Sequence, residues 1–145
     1  MQEHAETAQS VAQPHKSGVP SNYAVILFGI FIFPLILVVL FEAKKRRTTA
    51  QEWEKSHYEL QYRSSVVFML GILAMILAAS TIFLQATDTS PLQVAHTRMW
   101  MGQIANLSYL LVGWVAVRSI RGLFLAGGKR AIGNSRSYWV WPSAA

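Results

Sequence analysis

The charges of this chain avoid three long stretches, and that avoidance limits the possible folds more than any motif does. Residues 23–41 (YAVILFGIFIFPLILVVLF) and 65–84 (SVVFMLGILAMILAASTIFL) contain no Asp, Glu, Lys or Arg. As helices rising 1.5 Å per residue, each is about as long as the ~30 Å hydrocarbon core of a bilayer. Residues 99–117 (MWMGQIANLSYLLVGWVAV) are also uncharged, although they carry Gln103, Asn106 and Ser108, and Arg98 and Arg118 bracket them. A helix of this length in a soluble bundle would show a polar face. With 52% hydrophobic and only 14% charged residues, the expected fold is an all-α membrane protein with three transmembrane helices at about 23–41, 65–84 and 99–117. A cytoplasmic interfacial helix would lie between spans one and two, and the C-terminal segment would also be interfacial. The organisation expected is a disordered polar tail over 1–22, a membrane domain over 23–141 and a short end at 142–145.

The first apolar run reads as a retained anchor. Its upstream flank lacks a basic n-region, and the positive charge follows the run as KKRR. Eleven of the 13 cations fall between spans one and two or after span three, leaving Lys16 and Arg98 for the opposite side. By the positive-inside rule, the loop and C-terminus are cytoplasmic and the N-terminus lies outside. The net charge of +6 is then accounted for by topology and by attraction to anionic headgroups, so no nucleic-acid partner is expected. The chain has no cysteine, which excludes disulfides, thiolate metal sites and a Cys nucleophile.

Pro34, inside the first run, is expected to kink that helix. The connection QATDTSPLQVAHTR makes spans two and three a tight antiparallel hairpin. Helical spacing puts Gly71, Ala74 and Ala78 on one side of span two. It puts Gly102, Asn106, Tyr109, Gly113 and Ala116 on one side of span three, and the two stripes are expected to pack together. Asn106 would bond across the contact. After Arg118, Gly127-Gly128 should end the helix, and Tyr138, Trp139 and Trp141 belong at an interface.

Most chemistry fails on spacing. GLFLAGGKR lacks the Ser or Thr of a phosphate-binding loop and follows a membrane helix, not a strand. His4 and His15 lie in the N-terminal tail, His57 between spans one and two and His96 near the start of span three, so no two share a helix face at ligand spacing; the carboxylates lie outside the apolar runs, and no haem, metal site, cofactor or proton relay is expected. The remaining candidate is EWEKSHYELQYR, residues 52–63, between spans one and two. As a helix it would stack Trp53, His57 and Gln61 at i, i+4, i+8 and pair Glu59 with Arg63. Trp53, His57, Gln61, Arg63, Arg118 and Arg121 are the expected partner or interface contacts. No catalytic residue is expected, because no nucleophile or orienting acid can be placed beside His57.

The pattern Trp53, Ser56, His57, Gln61, Arg63, together with Arg121-Gly122-Leu123, a Gly-rich turn and Trp139, resembles a family of small bacterial inner-membrane proteins. That family is related to the twenty-kilodalton channel component of the chloroplast inner-envelope translocon. The likeness covers about residues 23–141, with SSVVF standing where the family often shows an aromatic-rich stretch. It implies a multi-pass protein of the bacterial inner membrane.

The function expected is a non-enzymatic accessory or scaffold subunit that associates with itself or with a larger membrane complex. An oligomeric channel or translocation component lined by Gln103, Asn106 and Ser108 is the alternative. A headgroup enzyme using Trp53, His57 and Arg121 is the outlier.

Overall fold

The computed structural model describes residues 17–87 and 90–145. Four helices follow one another: α1 (Val19–Gly29), α2 (Pro34–Arg46), α3 (Glu52–Gln85) and α4 (Pro91–Gly127). Among the described residues there is no strand, only an isolated bridge between Ile132 and Ala144.

α3 and α4 are long and apolar enough to cross a membrane, and they are two, not the three expected. Only 6% of the most apolar stretch of α3 and 33% of that of α4 is buried inside the protein. The apolar side chains therefore face outward, unlike those of a soluble core helix.

The first apolar run does not form a single span. It divides into α1 and α2, which at 1.5 Å per residue are about 16 and 20 Å long and fall short of a ~30 Å hydrocarbon layer. Pro34 causes the division, because it has no N–H for the i−4 carbonyl and its ring clashes there. It stands instead at the start of α2, where the missing donor costs nothing. Gly29 lets the chain reverse, since a Cβ there would come within 2.5 Å of Ile36 Cγ1. At the far end of the hairpin, a Cβ on Gly18 would meet Tyr58 Oη at 3.1 Å and Arg46 and Glu42 at 3.5 Å. α1 and α2 thus run antiparallel and begin and end together, with their turn pointing away.

This hairpin corrects the expected topology. An N-terminus on the side opposite the basic loop required one crossing by residues 23–41. Instead Ser17, the 47–51 loop and the 128–145 segment all lie at one end of the bundle. Residues 1–16 of the expected tail fall outside the described residues.

α3 and α4 pack antiparallel along a seam that differs from the expected stripes. Leu111 fills the space above Gly71, at 2.6 Å from a Cβ placed there, and Ser108 Oγ lies 2.9 Å from both Met75 Sδ and the Ile104 carbonyl oxygen, either of which can accept its one proton. Gly71 therefore faces α4 as expected. Ala74 and Ala78 are exposed, and so are Gly102, Asn106 and Gly113; nothing lies within 4 Å of a Cβ at Gly102 or Gly113. Close packing here matches a glycine to a leucine, and the expected small-residue face of α4 points outward.

Candidate functional site

The stripe of Trp53, His57 and Gln61 does not form a surface. The uncharged part of α3 begins near Ser65, and the turns before it enter a junction between α1, α4 and the C-terminal segment. His57 and Gln61 are wholly buried there, and Arg118 is 1% exposed.

The polar atoms of His57 and Gln61 are paired inside the protein. His57 Nε2 lies 2.9 Å from the Arg130 carbonyl, which can only accept, so Nε2 carries the proton. His57 Nδ1 then accepts from the Tyr23 hydroxyl at 3.0 Å. Gln61 donates from Nε2 to the Val19 carbonyl at 3.0 Å, and its Oε1 accepts from Asn22 Nδ2 at 3.3 Å. Two side chains of α3 thereby hold the first turn of α1. Burial lowers the His57 pKa, which fits the neutral tautomer, while the Arg130 carbonyl and the charge of Glu54 act in the opposite direction.

Tyr23 reaches this position because Gly122 makes room. A Cβ on Gly122 would lie 2.4 Å from Tyr23 Cζ and 2.5 Å from its Oη. The Arg121-Gly122-Leu123 pattern thus includes a glycine required by close packing. The reversal after α4 aims the Arg130 carbonyl. Lys129 adopts φ 51, in the left-handed region, and the Lys129 and Arg130 amides donate to the Ala126 and Leu125 carbonyls at 3.0 Å. This is the usual left-handed way of ending a helix, with Lys where glycine is commoner.

Arg118 anchors the C-terminal segment. Its Nε donates to Ser64 Oγ at 3.1 Å and its Nη2 to the Ser137 carbonyl at 2.9 Å, while its Nη1 donates to the Trp139 carbonyl. The Trp114 ring lies 4.7 Å from its guanidinium carbon. Among the described residues no carboxylate comes within 4 Å of Arg118, so oxygen dipoles and a π-face supply what a counter-ion otherwise would. Arg63 completes the fastening, holding Glu59 at 2.5 Å and donating to the Arg136 carbonyl at 3.2 Å.

The structure therefore corrects the expected partner surface. His57, Gln61 and Arg118 are internal to one chain and hold its segments together. Trp53 is half-buried and packs edge-on against His57 at 5.7 Å between centroids. Arg63 and Arg121 remain partly accessible. The C-terminal segment folds over the bundle end, with Tyr138, Trp139 and Trp141 exposed. It is closed by hydrogen bonds from Gly133 and Ala145 to the Ser143 and Ala131 carbonyls.

Asn22, Tyr23, Ser64 and Ser137 were not expected to take part. The available signal was Asn22-Tyr23 at the head of an apolar run, polar atoms that a helix in lipid could not leave unpaired. Comparison with known proteins finds no matching family model, no similar curated protein and no similar solved structure.

Proposed function

We propose that this chain is a small, non-enzymatic subunit of a bacterial inner membrane that crosses the bilayer twice and associates through the outward face of α4. Its association is with itself or with a larger membrane complex. One observation carries the reading: Gln103 and Asn106 stand exposed in the middle of an apolar helix, flanked by the open surfaces of Gly102 and Gly113. A carboxamide facing hydrocarbon is costly, and small residues beside it let another helix approach closely.

The charges support an orientation with the polar junction in the cytoplasm. Among the described residues, Arg98 is the one cation at the opposite end, and the other Lys and Arg residues lie at the junction end. Placing the start of α1 at that same end makes the asymmetry consistent with two crossings. The resemblance to the translocon-related family adds the bacterial inner membrane to this reading. The engagement of both His57 ring nitrogens within the chain, at full burial, supports a structural role over catalysis.

The test is extraction of tagged protein from its native membranes in mild detergent, measuring particle mass and co-purifying chains together. A stoichiometric partner, or a homo-oligomer that falls apart in Asn106→Leu, supports the proposal. A monomer without partners refutes it. A homo-oligomer that also conducts ions in liposomes moves the assignment to the channel reading, with Gln103 and Asn106 facing a shared path.

A further inference from the structure

Arg118 and Arg121 lie almost one helical turn apart, yet they differ in how they are satisfied. Arg118 spends its donors inside the protein. Among the described residues, Arg121 makes a single long hydrogen bond, 3.4 Å from Nε to the Pro142 carbonyl. A guanidinium has five N–H donors, and among the described residues no carboxylate lies within 4 Å of this one. Its guanidinium carbon is flanked by rings, 5.4 Å from the Phe124 centroid and 5.1 Å from that of Trp141.

This charge stands at the mouth of an apolar cleft of about 340 Å³ lined by Val117, Ile120, Arg121, Phe124 and Trp141. The first four form one stripe of α4 at i, i+3, i+4 and i+7, and Trp141 returns from the C-terminal segment to form the other wall. Val117, Ile120, Phe124 and Trp141 are all exposed, so the cleft opens toward whatever surrounds the helix. At this depth, where the apolar part of α4 gives way to Arg118 and the tryptophans, the surroundings change from acyl chains to headgroups.

We propose that this cleft holds one anionic glycerophospholipid of the cytoplasmic leaflet. Its phosphate sits on the unused N–H groups of Arg121, and one acyl chain lies along Val117, Ile120 and Phe124 against the Trp141 ring. Charge complementarity selects this occupant: the slot offers one cationic fork and otherwise only hydrocarbon, and further cations, Lys129 and Arg130, follow in the chain. A free phosphate would use the fork and leave the walls uncovered. The proposal rests on the membrane placement but not on the assembly through α4.

The full-length protein, purified in mild detergent and stripped of lipid, is offered equal amounts of phosphatidylglycerol and phosphatidylcholine, and retained lipid is read by native mass spectrometry. The first bound lipid should favour phosphatidylglycerol about tenfold, because the choline cation of phosphatidylcholine offsets the phosphate charge that the guanidinium pairs with and is repelled by the cations at this end. Arg121→Gln should abolish that preference and Arg121→Lys should keep part of it. Ile120→Trp, which fills the slot and leaves the charge, should lose the retained lipid. Arg136→Gln, which removes an exposed cation at the same end, should change nothing.

An unaltered preference in Arg121→Gln, full retention in Ile120→Trp, or displacement of the lipid by millimolar inorganic phosphate would each overturn the proposal. So would a photo-crosslinker at Phe124 that captures protein instead of lipid in native membranes. Particle mass in the same spectra reports assembly separately, so failure of one reading is distinguishable from failure of the other.

Discussion

Replacing Gly122 with alanine sets two effects of opposite sign against each other. Gly122 lies inside α4, where alanine is favoured over glycine by about 0.8–1.0 kcal/mol. Helix propensity alone thus predicts a more stable protein. Packing predicts the reverse, because the new Cβ would sit 2.4 Å from Tyr23 Cζ, 2.5 Å from Oη and 2.6 Å from Cε1. An aromatic ring cannot bend away, and Asn22 beside it is held by Gln61. Forcing a methyl group into a packed site costs about 1–3 kcal/mol. Displacing Tyr23 also leaves His57 Nδ1 buried without its donor, for about 1–3 kcal/mol more. After the propensity gain, Gly122→Ala should be destabilised by roughly 1–5 kcal/mol.

The assay is denaturation of the purified protein in mild detergent by added SDS, followed by tryptophan fluorescence. In a Tyr23→Ala background the ring is gone, and Gly122→Ala should turn neutral or mildly stabilising. Wild-type stability in Gly122→Ala would show that the ring has slack. An undiminished penalty in the Tyr23→Ala background would show that Tyr23 is not the obstacle.

Four other outcomes follow from the same geometry. Burial holds the His57 pKa below its ordinary value, so below pH ~6.5 the unfolded chain takes up a proton that the folded chain resists; SDS resistance should therefore fall from pH 7.5 to 5.5, and less steeply in His57→Gln. Arg118→Lys should release the C-terminal segment to limited proteolysis, because a point charge cannot bridge Ser64, Ser137 and Trp139 as a planar fork does. Lys129→Gly, which relieves a left-handed backbone, should raise stability by about 1 kcal/mol in the same SDS titration. Gly102→Leu and Gly113→Leu should leave the isolated chain as stable as wild type and reduce the particle mass, whereas loss of monomer stability would place those glycines inside the fold.

The two helices long and apolar enough to cross a membrane were legible because charge-free length is a strong signal that needs no knowledge of neighbours. The first run satisfied the same length rule and failed it physically. Its turn depends on Gly29 meeting Ile36 and on Pro34 starting a helix, and the kink expected at Pro34 was a reversal. The outward face of α4 was legible as a set of residues but not as a direction: smallness suggested contact, while the seam pairs Gly71 with the larger Leu111. His57, Gln61 and Arg118 were recognisable as important and misread as surface. Gln61 is held by the start of α1, and His57 and Arg118 bond the 128–145 segment as it folds back, a contact that joins residues 73 positions apart in the case of His57 and Arg130.

The bond from His57 to the Arg130 carbonyl also sets an order of events during synthesis. α1 and α2 leave the ribosome first, carrying Asn22 and Tyr23 with nothing to satisfy them, and His57 and Gln61 follow before α4 exists. The carbonyl that fixes the His57 tautomer, and the Ser137 and Trp139 carbonyls that bind Arg118, are polymerised only after α4. The polar junction is therefore completed only once residues 130–139 have been made, and a nascent protein halted before residue 130 holds Gln61 on α1 but leaves His57 Nε2 and the Nη groups of Arg118 without their carbonyl acceptors.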